Sequence, residues 1–319
     1  MLSQQVDVRV NMLSHHPEEW QREFVVRLPD GESCITGRLN KISSRPEDVV
    51  PGSDIVLLCL PAFCVEDEIK SIGPWLRVDA ALGSVISSSG FFLFCHKHLP
   101  LSTKLFGFQR VPYISRIVER GKLANLLGFR DELIMAIENI ADVAAFRSLT
   151  ERLFSEKVRM VDSFYEVTLS NSNPILHTGR LYAMWKDWDG QPYDRCPLFY
   201  KEWTDEASAI EIEMDREFFA LLKALNVETS NIDTLLCHYE ASDAAGMTRK
   251  LQSIPSFATI PSPMRQTAEG WVPDFESRYF TEDFPYGLHF IWELAHKNNV
   301  SCPTIDKVYA WGAKMIQQA

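Results

Sequence analysis

Two patterns of apolar positions divide the chain near residue 170. Before that point, apolar residues form short continuous or alternating runs typical of β-strands, separated by segments with helical spacing. After it, apolar residues recur at helical spacing alone. The run at residues 54–60 is almost entirely apolar and ends at Pro61, as expected for a strand covered on both faces of a parallel sheet. We therefore predict an α/β domain over residues 1–169 and an all-α domain over residues 170–319.

The same patterns predict individual elements. Predicted strands cover residues 6–13, 54–60, 83–88, 124–129 and 158–169. Predicted helices start at Pro17 and cover residues 65–75, 142–154, 173–188, 204–225, 232–239, 246–252, 287–296 and 305–318. Thr204 is the expected N-cap of the helix that follows it. The proline-rich segment 255–275 is predicted to be a long loop that is either functional or a specific crossover.

The turns after two predicted parallel strands are candidate cofactor-binding positions. Ligands of open α/β sheets lie beyond the carboxyl ends of the strands. Pro61 and Ala62 follow the first of these strands, and Ser89 and Gly90 follow the next. The alternative interpretation is that both segments are plain turns between buried strands.

The glycine-rich strand–turn–helix unit of dinucleotide-binding domains is not found in residues 1–60. Its GxGxxG pattern lets the backbone approach a pyrophosphate at a helix N-terminus. The chain instead opens on what the pattern predicts to be a second strand. We therefore expect an N-terminally incomplete, Rossmann-like parallel sheet, explained by a truncation or by a start codon assigned too late. Residues 13–16 offer no acid for the ribose of NAD, so NAD and NADP both stay open as cofactors.

Composition and charge exclude several classes of partner. The net charge of the 319 residues is −11 and no basic block occurs, which argues against nucleic acid and anionic membranes. Seven dispersed cysteines without a CxxC pair suit a reducing compartment. With neither an 18-residue apolar run nor a signal-like N-terminus, we expect a cytoplasmic protein.

No metal site is predicted, because His96 and His98 lack a second ligand pair and are interpreted as structural or solvated.

His177 is the candidate acid/base. It lies in the segment 170–182, one turn into the predicted helix at residues 173–188. Histidine has an ordinary pKa of about 6.5 and can therefore exchange protons at neutral pH. Asn173 either orients a substrate or caps this helix. Arg180 shares a helix face with His177 and either binds a substrate carboxylate or forms a surface salt bridge.

A second polar cluster occupies residues 277–288. Arg278 and Tyr279 stand near two acidic residues, just before the predicted helix at residues 287–296. These side chains either converge on a small acidic ligand or form an exposed charged turn. Arginine can hold a carboxylate through two parallel hydrogen bonds, so Arg278 is the candidate partner of an acidic substrate.

Four segments together resemble the opine dehydrogenase family, the octopine and nopaline dehydrogenase group. They are residues 54–63, 171–177, 193–200 and 278–288, and the resemblance extends along essentially the whole chain. It implies a nucleotide-binding domain at residues 1–169 followed by a helical substrate domain at residues 170–319. The implied reaction is the NADH- or NADPH-dependent reductive condensation of an amino acid with a 2-oxo acid, usually pyruvate.

The resemblance also implies roles for individual residues. It pairs His177 with a carboxylate that falls on Asp283, and these two are the predicted catalytic residues. An aspartate bonded to one ring nitrogen fixes the tautomer and stabilises the charged ring. Arg278, Asn173 and Tyr279 are the predicted substrate-binding residues.

Two other functions stay open on the sequence. The first is a catalytically inactive, truncated homologue that only binds a small molecule or a partner, which the absent glycine loop favours. The second is a related reductase that acts on a 2-oxo or 3-hydroxy acid without an amine. The sequence does not identify the amino acid, and it leaves a homodimer open as an oligomeric state.

Overall fold

The computed structural model describes residues 2–5 and 7–318, which form two compact units. The first unit ends at Thr168 and the second begins at Leu169. Within the described residues, no helix combines the length and the apolar character that crossing a membrane requires.

The first unit combines many strands with short helices. Its strands are β1 (Asn11–Leu13), β2 (Glu23–Arg27), β3 (Cys34–Arg38), β4 (Lys41–Ser43), β5 (Ile55–Leu58), β6 (Ala81–Ser84), β7 (Lys104–Phe108), β8 (Tyr113–Glu119), β9 (Leu123–Phe129), β10 (Glu132–Glu138) and β11 (Lys157–Met160). Its helices are α1 (Pro46–Val49), α2 (Ala62–Ile72), α3 (Phe91–His98), α4 (Val143–Phe154) and α5 (Phe164–Thr168).

A five-stranded sheet with the order β11-β10-β7-β6-β5 is the centre of this unit. β5, β6 and β7 are parallel neighbours connected through α2 and α3, which is the Rossmann-like alternation that the sequence predicts. β10 is antiparallel to β7, and β11 is parallel to β10. The core of the sheet packs against α4 and contains Ala81, Phe106, Phe108, Leu133, Met135, Phe154 and Val158.

Several strand predictions are wrong in extent or partner. The strand predicted at residues 158–169 ends at Met160, and α5 occupies its second half. A short apolar run does not distinguish a buried helix from a buried strand. The strand predicted at residues 124–129 exists as β9, but it belongs to a separate four-stranded sheet with the order β3-β2-β9-β8. The strand at residues 54–60 is β5, which lies at the end of its sheet, and only Leu58 in it is buried.

Other corrections concern the ends of elements. The helix predicted to start at Pro17 is a single 3₁₀ turn, Pro17–Glu19. The strand predicted at residues 6–13 is reduced to β1, and Val6 lies outside the described residues. The strand predicted at residues 83–88 ends at Ser84. Helices α2 and α4 follow their predictions, and Asp142 caps α4 by accepting from the Ala145 N–H.

The second unit is mainly helical. Its helices are α6 (Asn173–Trp185), α7 (Asp205–Ala224), α8 (Leu235–His238), α9 (Ala244–Ser253), a π-helix (Tyr279–Leu288), α10 (His289–Lys297) and α11 (Pro303–Gln318). Thr204 caps α7 as predicted, since its side chain accepts from the Ala207 N–H at 3.2 Å. The all-α prediction is wrong within residues 255–275, where β12 (Met264–Thr267) and β13 (Gly270–Pro273) form a hairpin.

The π-helix contains the predicted polar cluster and continues directly into α10. Pro285 lies inside it and has no N–H, so a regular α-helical hydrogen bond is lost at that point. Wider π turns of this kind are frequent at functional sites. Phe280, Phe284 and Leu288 anchor its apolar side, and the π-helix packs against α6, α10 and α11.

Candidate active site

His177 lies in the first turns of α6, and the residues just before it define where this helix begins. Ser172 is the N-cap residue and Pro174 occupies the first turn, where its missing N–H costs no hydrogen bond. Ile175, Leu176 and Leu181 are buried and anchor the helix, while the His177 side chain keeps 13% of its surface exposed. The imidazole is therefore held rigidly, and a small part of it is exposed to solvent.

Both ring nitrogens of His177 have a hydrogen-bond partner in this unit. Nδ1 lies 2.8 Å from Oδ2 of Asp283, and Nε2 lies 2.9 Å from the hydroxyl oxygen of Tyr200. An ionised carboxylate only accepts, so Nδ1 carries the proton and donates to Asp283. In the neutral ring, Nε2 then has a lone pair that accepts from the Tyr200 hydroxyl. The two contacts together fix both the ring orientation and the tautomer.

The π-helix brings Tyr279 and Asp283 to the same side of the ring. Four residues make up close to one turn, so the two side chains point the same way. The Tyr279 ring meets the His177 ring edge to face, with 4.8 Å between centroids. Burial and the Asp283 charge both raise the pKa of the Tyr279 hydroxyl, burial contributing more.

Tyr200 is a member of the site that the sequence did not predict. Its segment, residues 193–200, contributes to the family resemblance, but no local pattern gives the tyrosine a role. It lies in the turn before α7, far from His177 along the chain, and its ring stacks on Trp203 and Phe257 at centroid distances of 5.4 and 4.3 Å. Burial is the main cause that raises the pKa of its hydroxyl far above the ordinary value.

The model of a known family matches the part of the chain that contains these residues. It is described as the alpha-helical domain of NAD/NADP octopine/nopaline dehydrogenase and covers residues 160–316. An opine dehydrogenase from Haliotis discus hannai is 26% identical over 309 residues, spanning 91% of this chain and 76% of the relative. An octopine dehydrogenase from Mizuhopecten yessoensis is 25% identical, over 98% of this chain and 84% of the relative.

These matches support the opine dehydrogenase family for this chain. A solved structure of octopine dehydrogenase with NADH and L-arginine has the same fold, with a TM-score of 0.85 and 24% identity over 99% of this chain and 85% of that one. The likeness to this family confirms the predicted enzyme class, an NAD- or NADP-dependent oxidoreductase. It also confirms the predicted fold class, a Rossmann-like α/β unit followed by a helical one.

The environment of Arg180 differs from both of the predicted ones. It forms no surface salt bridge, because only 3% of the residue is exposed. Its guanidinium donates to the backbone oxygens of Phe199, at 3.3 Å, and Glu202, at 2.7 Å, and lies over the Trp203 ring. Burial lowers its pKa to about 10. Arg180 therefore braces the turn that carries Tyr200 and has no direct contact with His177.

Glu211 on α7 is a buried carboxyl with an unusual environment. It is fully buried, and neither carboxyl oxygen has a hydrogen-bond partner among the described residues. Its Cγ approaches Gly179 of α6 so closely that a Cβ added there would lie 2.5 Å away. Burial raises the pKa of Glu211 well above its ordinary value, and the charge of Arg180 opposes that effect only in part. A charged residue on the apolar side of α7 is the sequence signal that would have found it.

The predicted substrate-binding residues lie in contrasting positions. Arg278 immediately precedes the π-helix, its side chain is 81% exposed, and it donates two hydrogen bonds to Glu282 at 3.0 and 2.7 Å. Glu282 mainly, and Asp283 additionally, raise the pKa of Arg278. Asn173 is exposed at the start of α6 and does not cap it, because it is the first helical residue and Ser172 is the N-cap residue. Its backbone N–H donates to the side-chain oxygen of Asn171 at 3.2 Å.

The predicted cofactor-binding residues lie at the carboxyl ends of two adjacent strands of the first unit. Pro61 follows β5 and is the N-cap of α2, whose first residue is Ala62. Gly90 follows β6 and starts α3 in the left-handed conformation, with φ 80° and ψ 13°. Glycine adopts that conformation without strain and leaves the backbone open to a ligand phosphate. The side chain of Ser89 lies outside the described part of the chain.

His96 and His98, which the sequence interprets as structural or solvated, each contact a carboxylate of the first unit. His96 Nε2 lies 2.6 Å from Glu138, and His98 Nε2 lies 2.6 Å from Glu66. In both histidines Nε2 is thus bonded to a glutamate. The absence of a metal site remains a prediction.

Proposed function

We propose that this chain condenses the amine of an amino acid with a 2-oxo acid, such as pyruvate, and reduces the condensation product to a secondary amine with NADH or NADPH. The observation that carries the proposal is the His177 ring, held between Asp283 and Tyr200 within the segment that matches the family's helical domain. A group fixed in this way can accept and release a proton without losing its orientation.

His177 is the acid/base of the proposed reaction. The bound cofactor supplies a hydride to the carbon that was the carbonyl carbon of the 2-oxo acid. Protonated His177 provides the proton needed when the carbonyl oxygen leaves as water, and neutral His177 removes a proton from the attacking amine. Asp283 keeps the Nδ1–H bond in both states and stabilises the positive charge of the protonated ring.

Arg278 and Tyr279 are the proposed substrate-binding groups beside His177, with Asn173 as a third. The Arg278 guanidinium is exposed and stands near Asp283, and it can exchange Glu282 for a substrate carboxylate with the same two-bond geometry. Asn173 lies one turn before His177 on α6, so its amide faces the same side of the helix. Tyr279 covers the ring edge and offers a hydroxyl.

We also assign a function to each of the two domains and a cellular location to the protein. Residues 1–169 bind the cofactor, with its phosphates near Pro61, Ala62, Ser89 and Gly90, and residues 170–319 bind the substrates. The helix N-termini at α2 and α3 and the left-handed Gly90 support this assignment. We place the enzyme in the cytoplasm on its dispersed cysteines and acidic surface. The comparisons do not favour the inactive binding module.

The test is the substrate requirement of cofactor oxidation by the purified chain. We expect NADH or NADPH to be oxidised when an amino acid and a 2-oxo acid are both present, and not with either alone. Oxidation that needs only the 2-oxo acid would instead identify a reductase that uses no amine. If fluorescence titration detects no binding of either cofactor at millimolar concentration, the dehydrogenase assignment is wrong.

A further inference from the structure

We infer that Tyr200 conducts the proton between His177 and the substrate, so that Asp283, His177 and Tyr200 act as a three-member relay. The inference rests on the proposed function, because it assigns the route by which the acid/base of that reaction works. A ring with a carboxylate on Nδ1 and a hydroxyl on Nε2 has no nitrogen left for a substrate atom.

Of the two partners, Tyr200 is the one that can pass a proton onward. The Asp283 carboxylate only accepts, and its bond to Nδ1 persists whether or not the ring is charged. A hydroxyl both donates and accepts, so Tyr200 can reverse its bond to Nε2. When the ring is neutral, the hydroxyl donates to Nε2. When the ring is protonated, Nε2–H donates to the hydroxyl oxygen, and the Tyr200 proton is free to point elsewhere.

Tyr200 is also held too firmly to move aside for a substrate. Its ring is 5% exposed and stacked between Trp203, at an interplanar angle of 7°, and Phe257, at 23°. The buried guanidinium of Arg180 binds the backbone oxygens on either side of it, those of Phe199 and Glu202. The Phe199 N–H donates to Ile260 at 2.8 Å, which fixes the same turn from its other side. The hydroxyl therefore stays on Nε2 through the catalytic cycle.

The proton transfer balances without a charged tyrosine. The Tyr200 O–H bond breaks as a new bond forms to the departing oxygen of the substrate. At the same time the Nε2–H bond of protonated His177 breaks and a new Tyr200 O–H bond forms. Tyr200 begins and ends neutral, His177 passes from charged to neutral, and the substrate gains one proton. A concerted transfer suits this environment, because burial disfavours a free phenolate.

The test compares Tyr200→Phe with Tyr239→Phe. Tyr200→Phe deletes one oxygen and keeps the stacked ring. Tyr239 is another buried tyrosine of the second unit, also 5% exposed, and within the described residues it forms no hydrogen bond or ring contact with His177, so its variant is the matched control. We expect Tyr200→Phe to lose about 10²-fold or more in kcat, comparable to His177→Ala, with cofactor affinity unchanged. We expect Tyr239→Phe to keep most of its turnover.

Nitrogen-15 NMR of His177 in the protein without substrates separates this inference from the proposed function. In the wild type, Nδ1 should carry the proton and Nε2 should show an accepted hydrogen bond. In Tyr200→Phe, the Nε2 resonance should move while the Nδ1–H signal persists. This readout needs no turnover, so it holds or fails independently of the reaction. A folded Tyr200→Phe that loses less than about tenfold in kcat would overturn the relay, as would a wild-type Nε2 resonance that the substitution leaves unchanged.

Discussion

His177 and Glu211 lie on the packed helices α6 and α7, and their surroundings differ in the features that govern protonation. Each nitrogen of His177 has a hydrogen-bond partner, and the ring reaches the surface. Neither oxygen of Glu211 has a partner among the described residues, and the residue is fully buried. A group whose polar atoms all have hydrogen-bond partners can gain or lose a proton without moving. A buried group without such partners favours its neutral form and destabilises the fold.

Arg180 links these two environments. It lies three residues after His177 and one after Gly179, the residue against which Glu211 packs. Its donors go to the turn that carries Tyr200, and only its charge acts on Glu211. The arginine therefore supports the geometry of the His177 site directly, while it offsets the burial of Glu211 only partly. The comparison predicts that substitutions at the first site affect turnover and those at the second affect stability.

His177→Ala has the largest expected effect. Removing the acid/base should lower kcat by about 10²–10⁴-fold, while the affinity for NADH or NADPH stays nearly constant. Steady-state kinetics and a fluorescence titration of the cofactor measure the two quantities. His289→Ala is the matched control, because that histidine also binds a tyrosine, Tyr309, at 2.8 Å but has no carboxylate partner among the described residues. Full turnover in an active preparation of His177→Ala would show that the role assigned to His177 is wrong.

Gly179→Ala should be the most destabilising single change at the Glu211 site. The new Cβ would lie 2.5 Å from Glu211 Cγ and 3.3 Å from Met214 Sδ, so α6 and α7 must shift. We expect the free energy of unfolding to fall by about 1–3 kcal/mol, measured by denaturant titration. Gly128→Ala is the control, since its nearest neighbour, Ile114 Cδ1, is 4.0 Å away. Equal stabilities for the two variants would contradict the close packing of Glu211 on Gly179.

Glu211→Gln should change the pH dependence of stability. A carboxyl whose folded pKa is raised binds its proton more tightly when folded, and its contribution is lost as pH rises from the unfolded value through the folded one. The amide does not titrate, so the variant should gain on the wild type with rising pH, by at most about 1.4 kcal/mol per pH unit.

Denaturant titrations of Glu211→Gln at pH 5 and pH 8 measure that gain. Glu213→Gln, a change at a partly exposed position on the same helix where the side chain pairs with Arg216, should show none of it. A stability difference between Glu211→Gln and wild type that does not vary with pH would mean that Glu211 is not protonated in the folded protein.

Arg278→Lys should have the smallest effect on stability, within about 1 kcal/mol, because its ion pair with Glu282 is screened by solvent. Lysine cannot reproduce the two parallel hydrogen bonds of the guanidinium, so we expect a higher KM for the 2-oxo acid with kcat less affected. The ratio of the two parameters, measured beside the melting temperature, distinguishes a substrate role from a structural one. An unchanged KM would remove Arg278 from the substrate-binding residues.

The elements on either side of His177 were visible in the sequence because their signals are local. The apolar spacing around His177 predicted α6, and Thr204 predicted the start of α7. The continuous apolar run before Pro61 predicted β5 and the turn at its end. Asp283 binds His177 although more than a hundred residues separate them along the chain. Only the family resemblance predicted this pair. No local pattern links two residues so far apart.

What the sequence did not predict depends on long-range packing. Tyr200 reaches Nε2 because its turn is braced by Arg180 and stacked on Trp203, contacts that no spacing rule foresees. The partners of β9 in a second sheet depend on pairing with β2 and β8, which its own apolar pattern does not specify. The π-helix, with Pro285 inside it, was likewise not predicted, because apolar spacing does not report the width of a helical turn.

The proposed reaction joins an amine to a 2-oxo acid and reduces the product with hydride from NADH or NADPH. The most direct test supplies cofactor deuterated at the transferred position together with a nitrogen-15 amino acid and a 2-oxo acid, and analyses the product by mass spectrometry. We expect one secondary amine that carries both the deuterium and the nitrogen-15. A deuterated 2-hydroxy acid beside an unchanged amino acid would contradict it.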